Sequence, residues 1–147
     1  MQIRDMKSND LAKVLEIEQT LFPTDAWTKA LFLEELAQVP ISRAVVVAEI
    51  DQLIIGYASL RFVGKEGDIN TIAISPSHQR CGYGNQLLTW MLQTAKVKGV
   101  RDLFLDVRAD NVAAIEMYKN AGFERIDIRR NYYDHAVDAH VMRKKIS

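Results

Sequence analysis

Three apolar runs separated by very short turns constrain the fold of this chain more than any other feature. The runs cover residues 44–50, 53–62 and 68–74 and are rich in valine and isoleucine. This composition is typical of β-strands, and strands joined by so few residues can only be antiparallel neighbours. The sequence therefore predicts a three-stranded antiparallel meander.

The other elements follow from helical spacing of apolar residues, or from short apolar runs, between Gly and Pro punctuation. They are strands at 2–5, 102–107, 123–129 and 137–144, and helices at about 8–22 (capped by Ser8 or Asp10), 28–38, 82–98 and 112–120. A helix-sized connection makes the 102–107 strand parallel to the strand before it. We therefore predict an α+β fold, with a mixed, mostly antiparallel seven-stranded sheet flanked by about four helices. Without a linker or repeat, residues 1–147 are expected to form one domain.

Charge and composition exclude several classes of protein. The 19 Lys and Arg residues equal the 19 Asp and Glu residues, so bulk attraction to nucleic acid or to an anionic membrane is not expected. No apolar run approaches the roughly 20 residues that cross a bilayer. The N-terminus does not resemble a signal segment, and the single cysteine, Cys81, cannot form an internal disulfide. We expect a cytoplasmic protein without a metal, because the three histidines lack a metal-ligand pattern.

A glycine-rich turn follows the third strand of the meander and opens a helix. It reads Gln79-Arg80-Cys81-Gly82-Tyr83-Gly84. A helix N-terminus offers unpaired N–H groups and a partial positive charge, and glycines let a ligand approach the backbone, so this turn suits phosphate or pyrophosphate. The alternative is that Gly82 and Gly84 only shape a loop. The turn lacks the Gly-Lys-Ser/Thr ending of a P-loop and the third glycine of a dinucleotide site.

A second informative stretch runs from residue 105 to residue 123. Asp106 lies near the end of a strand and could accept a proton from an amine, through water. The Tyr118 hydroxyl could protonate a departing sulfur, and Asn111 could bond a cofactor. The structural alternatives are a turn residue for Asp106, a core residue for Tyr118 and a helix N-cap for Asn111.

These features together resemble the GNAT acetyltransferases. The turn is similar to their Gln/Arg-x-x-Gly-x-Gly/Ala signature, and the whole order of elements matches their fold. The resemblance implies that acetyl-CoA is the co-substrate and that the turn holds its pyrophosphate. The backbone groups implied are those of Arg80, Cys81, Gly82, Tyr83, Gly84 and Asn85. It also implies that the pantetheine arm pairs with Ile72, Ala73 and Ile74, as an added strand would.

Residues 105–123 resemble the branch of that family that acetylates the N-terminal alanine of bacterial ribosomal proteins. This branch carries Leu-Glu-Val-Arg-x-x-Asn-x-x-Ala-Ile-x-x-Tyr-x-x-x-Gly-Phe, with the glutamate as base and the tyrosine as acid. The resemblance implies that Tyr118 is the acid and that Asn111 binds the cofactor. The base falls on Asp106, whose side chain is one methylene shorter, so a water bridge or another group is needed.

The same branch suggests where the acceptor binds. The Arg-Arg-x-Tyr-Tyr pattern ending at Tyr133 and the region of Trp27 resemble its peptide-binding segments, which implies substrate contacts by Trp27, Arg130, Tyr132 and Tyr133. The alternative is that the arginines are edge-strand charges and the tyrosines are packing residues. A peptide α-amine has a pKa near 8, against about 10.4 for lysine, so a water-relayed base suffices more readily for an N-terminus.

Three functions remain open at this point. The chain acetylates a protein N-terminus, such as that of a ribosomal protein beginning with alanine, or it acetylates a small amine or a lysine, or it is a non-catalytic sensor of acyl-CoA.

Overall fold

The computed structural model describes all residues from Met1 to Ser147 and contains four α-helices and seven strands. In chain order the elements are β1 (Gln2–Asp5), α1 (Leu11–Leu21), α2 (Lys29–Ala37), β2 (Arg43–Ile50), β3 (Leu53–Val63), β4 (Glu66–Ile74), α3 (Tyr83–Val97), β5 (Asp102–Arg108), α4 (Val112–Asn120), β6 (Glu124–Tyr133) and β7 (Val137–Lys145). Two short 3-10 turns, Ser8–Asp10 and Pro76–His78, precede α1 and α3.

The strands form one sheet in the order β1-β2-β3-β4-β5-β7-β6. The predicted meander is confirmed, since β2, β3 and β4 pair antiparallel in sequence order. The predicted parallel pair is also confirmed, because β5 pairs with β4 in parallel after the α3 crossover. Every other pair is antiparallel, so the mixed, mostly antiparallel sheet is as the sequence predicts.

Asp10, one of the two predicted caps, is the N-cap residue of α1, but the capping hydrogen bond expected from the Ser8 or Asp10 side chain is absent. Neither side chain accepts a hydrogen bond from an N–H group of α1. The Asp10 carboxylate instead binds the guanidinium of Arg4, at 2.8 Å from Nη1, and accepts the Lys7 N–H at 2.8 Å. An ion pair to β1 competes successfully with capping, because the arginine fork offers a charged donor to both carboxylate oxygens.

Apolar side chains alternate between the two faces of the sheet, and each face is covered by two helices. In β2, for example, Val45 and Val47 face α1 and α2, whereas Val46 faces α3 and α4. This two-residue period is the one that a strand buried on both faces requires. Fully burying such a side chain contributes about 1.5–3 kcal/mol, so the two layers of helices hold the sheet in place.

The sheet opens between β4 and β5. The two strands pair only from Glu66 to Ile69 on β4, and the last partner on β5 is Leu105. At that point β4 contains a bulge, because Ser59 and Leu60 of β3 face Thr71 and Ile69 and leave Asn70 as the extra residue. A bulge bends its strand, so β4 continues along β3 while its other edge separates from β5.

A buried carboxylate from α2 anchors this bulge. Glu35 accepts hydrogen bonds from Asn70 Nδ2 at 2.8 Å, from Ser59 Oγ at 2.7 Å and from Arg43 Nε at 2.8 Å. Burial acts to raise the pKa of Glu35, but the three donors outweigh it, and the pKa lies below its usual value. The carboxylate is therefore ionised at neutral pH and joins α2 to the point where the sheet opens.

We expect Glu35→Gln to lower the free energy of unfolding by about 2–3 kcal/mol at pH 7, because the substitution leaves Arg43 without its buried counter-ion. The folded-state pKa lies below the unfolded one, so the wild-type advantage exists above the unfolded pKa and disappears as the pH falls through the folded pKa. Urea denaturation at several pH values measures this. The exposed neighbour Glu34 provides the control, Glu34→Gln, and equal stabilities of the two variants would contradict the prediction.

Candidate active site

The glycine-rich turn is shaped as an anion site. Gln79 Nε2 donates to the Ile74 carbonyl at 3.0 Å and fixes the turn to the end of β4. Arg80 and Gly82 both have positive φ angles, +63° and +84°, and Gly82 is the N-cap of α3. No side chain caps the helix, so its first N–H groups point into the turn without an intrahelical partner. The geometry fits a phosphate or pyrophosphate group.

Gly84 lies beside α4 and β4. A Cβ atom there would lie 3.4 Å from Met117 Sδ on α4 and 3.9 Å from Ile74 Cγ1 on β4, which are ordinary contact distances. Packing against the protein therefore does not require a glycine at this position. Cys81 is exposed in the same turn and its thiol contacts only the Gln79 carbonyl, at 3.5 Å.

The β4 residues beside this turn present an open backbone edge. Tyr57 and Gly56 of β3 pair with Ala73 and Ile74, so one edge of this segment is occupied. The opposite edge has no partner in β5, whose pairing ends at Ile69. An extended ligand with amide groups can hydrogen-bond to such an edge as an added strand does. The open edge and the anion site adjoin, and together they fit a phosphorylated carrier with an amide-containing arm.

Asp106 directly follows the last β5 residue that pairs with β4, so it lies where the sheet opens. Its side chain is 32% exposed, and Arg129 Nε lies 3.4 Å from Oδ1. A solvent-exposed carboxylate at this point is suited to accept a proton through a water molecule.

Tyr118 combines a buried ring with an unpaired hydroxyl. The residue is 5% exposed, and its ring packs edge-on against Phe123 with centroids 5.6 Å apart. The hydroxyl has no protein hydrogen-bond partner, yet it is not sealed from solvent. Burial, with a smaller contribution from Tyr133, raises the pKa of Tyr118 well above its usual value. The hydroxyl therefore stays protonated and is a free donor.

Asn111 is the N-cap of α4, which is the structural role predicted for it as the alternative to cofactor binding. Its Oδ1 accepts the Ala114 N–H at 3.2 Å. The cap engages only the oxygen, so the side-chain amide N–H groups remain available as donors. A contact with the cofactor therefore stays a prediction that is compatible with the capping role.

The predicted acceptor residues on β6 differ in their burial and in their interaction with Asp106. Tyr133 is half-buried, and burial, together with the nearby Asp106 charge, raises its pKa to about 12. Tyr132 is 54% exposed and packs edge-on against the Tyr133 ring. The side chain of Arg130 is 79% exposed and pairs with Asp138 at 3.7 Å. Tyr133 thus interacts electrostatically with Asp106 and Tyr118, whereas Arg130 lies on the surface.

Trp27 is fixed within the loop between α1 and α2. Its ring lies 5.2 Å from that of Phe32, and its backbone N–H donates to Glu18 at 2.9 Å. Glu18 is buried and also accepts a hydrogen bond from the Tyr57 hydroxyl. Burial raises the pKa of Glu18 above its usual value. This buried pair anchors the loop to the sheet and so fixes where Trp27 stands.

Two arginines near Asp106 were not among the predicted site residues. Arg129 contacts Asp106, and Arg108 occupies the same face of β5 two residues further on. Both face Ala139 of β7 across the sheet, one from each side. The register of β5, β7 and β6 is what shows that these two arginines lie close together. Sequence periodicity does not give this register, because β6 contains bulges.

Comparison with known proteins relates these features to a family. Residues 11–123 match the family model described as the acetyltransferase (GNAT) family. The N-alpha-acetyltransferase RimI of Mycobacterium tuberculosis is 36% identical over 92% of this chain and 86% of its own length. The [ribosomal protein bS18]-alanine N-acetyltransferase of Salmonella typhimurium is 33% identical over 97% of this chain and 95% of its own.

A solved structure extends the comparison to three dimensions. The crystal structure of the ribosomal-protein-S18-alanine N-acetyltransferase from Escherichia coli superposes with a TM-score of 0.88 at 31% identity. The superposition covers 99% of this chain and 94% of the other.

No helix of this chain has the length and apolar character needed to cross a membrane.

Proposed function

This chain belongs to the GNAT acetyltransferase family and is an N-acetyltransferase, and from that premise we propose that it acetylates the N-terminal α-amine of a protein. The acceptor we propose is a ribosomal protein with N-terminal alanine. The observation that carries the proposal is the opening between β4 and β5, where the glycine-rich turn follows β4 and Asp106 follows the last paired residue of β5. The name of the Salmonella typhimurium relative specifies such an acceptor, and that of the Mycobacterium tuberculosis relative specifies N-alpha-acetylation. A single domain over residues 1–147 and a cytoplasmic location belong to the same proposal.

Members of this family use acetyl-CoA, which supplies the acetyl group as a thioester. We propose that the backbone N–H groups from Arg80 to Asn85 hold the pyrophosphate and that the open edge at Ile72, Ala73 and Ile74 aligns the pantetheine arm. Asn111 donates a side-chain N–H to the same arm while its oxygen caps α4. These contacts direct the thioester towards the point where the sheet opens.

Asp106 acts as the base in this proposal. The amine must lose a proton before it can attack the thioester carbonyl and form the amide bond. About a tenth of peptide α-amines are unprotonated at neutral pH, since their pKa is near 8. The shorter aspartate side chain therefore needs only to accept the proton through water, and its 32% exposure leaves room for that water.

Tyr118 acts as the acid. As the C–S bond breaks, negative charge develops on the sulfur, and a nearby hydroxyl donor stabilises it. The Tyr118 hydroxyl is protonated and has no competing partner within the protein. Its raised pKa makes hydrogen bonding to the developing thiolate the main contribution, because thiols have pKa values near 8.5 and complete transfer from such a tyrosine is uphill.

The acceptor groove, as we define it, is bordered by the α1–α2 loop (residues 22–28), the β6–β7 turn (residues 134–136) and Asp106. Trp27 lies in that loop, and Tyr132 and Tyr133 end β6, so the three aromatic residues belong to the segments at its borders. We propose that they contact the acceptor peptide, with Arg130 at the outer rim. Aromatic side chains lose little conformational entropy on binding and suit this role.

Paired peptides test the choice of amine. We expect a peptide with free N-terminal alanine to be acetylated at least about tenfold faster than the same peptide with a blocked N-terminus and one internal lysine. The reason is the lower pKa of the α-amine. Mass spectrometry of both peptides, incubated with the protein and acetyl-CoA, measures the ratio. Equal modification of the lysine peptide would favour a lysine or small-amine acetyltransferase, and thermal stabilisation by CoA without any turnover would favour a sensor.

A further inference from the structure

We propose that Arg108 is a positioning residue that joins the two segments bordering the acceptor groove and thereby sets the affinity for the acceptor. The group consists of Arg108, Asp25, Asp110 and Asp134, and we call it the Arg108 clasp. This inference rests on the proposed function for its biological meaning, but its contacts belong to the free protein. None of the four residues lies in the glycine-rich turn or on the open edge of β4.

Asp110 orients the guanidinium of Arg108. Nε lies 3.0 Å from one carboxylate oxygen of Asp110, and Nη2 lies 3.2 Å from the other. This two-point contact fixes the plane of the guanidinium. It raises the pKa of Arg108 and lowers that of Asp110, so both groups are charged at any physiological pH. The remaining nitrogen, Nη1, is directed towards other partners.

Those partners come from the two borders of the groove. Nη1 lies 3.4 Å from Asp25 Oδ2 in the α1–α2 loop and 3.9 Å from Asp134 Oδ2 in the β6–β7 turn. The two segments also touch directly, because Thr24 Oγ1 donates to Asp134 Oδ2 at 2.6 Å. One cation therefore faces two carboxylates from segments about 110 residues apart. Without it, the like charges of Asp25 and Asp134 would repel and favour separation of the two segments.

The clasp also reaches the reacting centre through Tyr133. The guanidinium of Arg108 lies over the Tyr133 ring, 5.2 Å from its centroid, in a cation–π contact. The Tyr133 hydroxyl is close enough to Asp106 for that charge to contribute to its raised pKa, and it influences Tyr118 in turn. Arg108 thus holds in place both the borders of the groove and the tyrosine beside the base.

An ion pair that only stabilised the fold would lower the free energy of unfolding when it is removed. The side chains of Arg108 and Asp25 are each 23% exposed and that of Asp110 is 57% exposed, so solvent screens these pairs and each contributes little to global stability. Loss of Arg108 should therefore leave the free energy of unfolding almost unchanged. If loss of Arg108 changes acceptor binding but not stability, Arg108 is a positioning residue and not a general stabiliser of the fold.

The test is the steady-state kinetics of Arg108→Gln with the N-terminal alanine peptide. We expect the KM for the peptide to rise about tenfold, and the KM for acetyl-CoA to stay within about twofold. Asp25→Ala should raise the peptide KM in the same direction, and the double variant should show less than the combined effect. Arg61→Gln is the matched control, because Arg61 makes a comparable ion pair with Asp68 at 3.0 Å on β3 and β4. An unchanged peptide KM, or equal increases in both KM values, would overturn the proposal.

Hydrogen exchange of the free protein separates this inference from the proposed function. We expect Arg108→Gln to speed amide exchange in residues 22–28 and 132–136, and Arg61→Gln to leave it unchanged. If the wild-type protein acetylates no peptide, the proposed function fails while the exchange experiment still tests the clasp. Unchanged exchange in both segments would overturn it. If Arg108→Gln does not fold, Asp25→Ala, which removes only the carboxylate of the loop, carries the same predictions.

Discussion

Tyr118→Phe should lower kcat by about 10²-fold while the Kd for acetyl-CoA stays within about twofold. The substitution removes the only donor that we assign to the departing sulfur and keeps the ring that packs against Phe123. Thiolate departure is the less demanding part of amide formation, because thiolates are stable anions, so we place the loss at the lower end of the range for an acid catalyst. Stopped-assay kinetics with saturating peptide and calorimetric titration with acetyl-CoA measure the two quantities.

The stability of the variant provides the control. The Tyr118 hydroxyl makes no hydrogen bond within the protein, so its removal should leave Tm unchanged or slightly raised. A large fall in Tm would mean that the hydroxyl supports the fold, and unchanged turnover would remove Tyr118 as the acid. Weaker acetyl-CoA binding with normal turnover would reassign the residue to cofactor binding.

Asp106→Asn should lower kcat/KM at neutral pH by about 10- to 10²-fold, because the amide cannot accept the amine proton. The deficit should shrink as the pH rises above about 8, where the α-amine loses its proton to solvent without help from the protein. The pH–rate profiles of the wild type and the variant therefore converge on the alkaline side. Asp106→Asn also loses part of its attraction for Arg129, so a Tm measurement accompanies the kinetics.

Asp106→Glu is the matched variant for this prediction. It keeps the carboxylate and adds one methylene, which gives the glutamate of the motif that residues 105–123 resemble. We expect kcat/KM within about fivefold of the wild type, in either direction, with the shape of the pH profile retained. Profiles of the wild type and Asp106→Asn that run parallel at every pH would mean that another group, or solvent alone, removes the proton.

The course of the chain was predictable because local patterns determine it. Apolar runs and short turns identified the meander from Arg43 to Ile74, and Gly82 identified the start of α3. Asp10 occupies the predicted cap position of α1, but its carboxylate pairs with Arg4 on another element and makes no capping hydrogen bond. Local patterns cannot show such contacts between distant segments, and the same limit applies to the anchoring of the bulge by Glu35.

The candidate site, like the fold, could be predicted only where it depends on local sequence. Asp106, Asn111 and Tyr118 follow one another along a single stretch, so their spacing places them in one region of the protein. Arg108 lies in that stretch too, but its partners Asp25 and Asp134 come from distant segments. Sequence spacing therefore identified the groups to which we assign the chemistry, and it missed the contacts of Arg108 with the two distant segments.

The anchoring of the Asn70 bulge by Glu35 affects how substitutions can alter the acceptor specificity of this protein. Glu35 is carried by α2, which begins directly after the loop of the proposed acceptor groove, whereas Asn70 lies where the open edge that we propose for the acyl donor begins. One carboxylate thus links the two regions that we propose for the two reactants. Substitutions that remodel the α1–α2 loop for a new acceptor can shift α2 and so alter how the donor is held, even though they lie on the opposite face of the sheet. An engineer seeking a new acceptor should therefore leave Glu35, Arg43, Ser59 and Asn70 together, and follow donor affinity alongside acceptor choice.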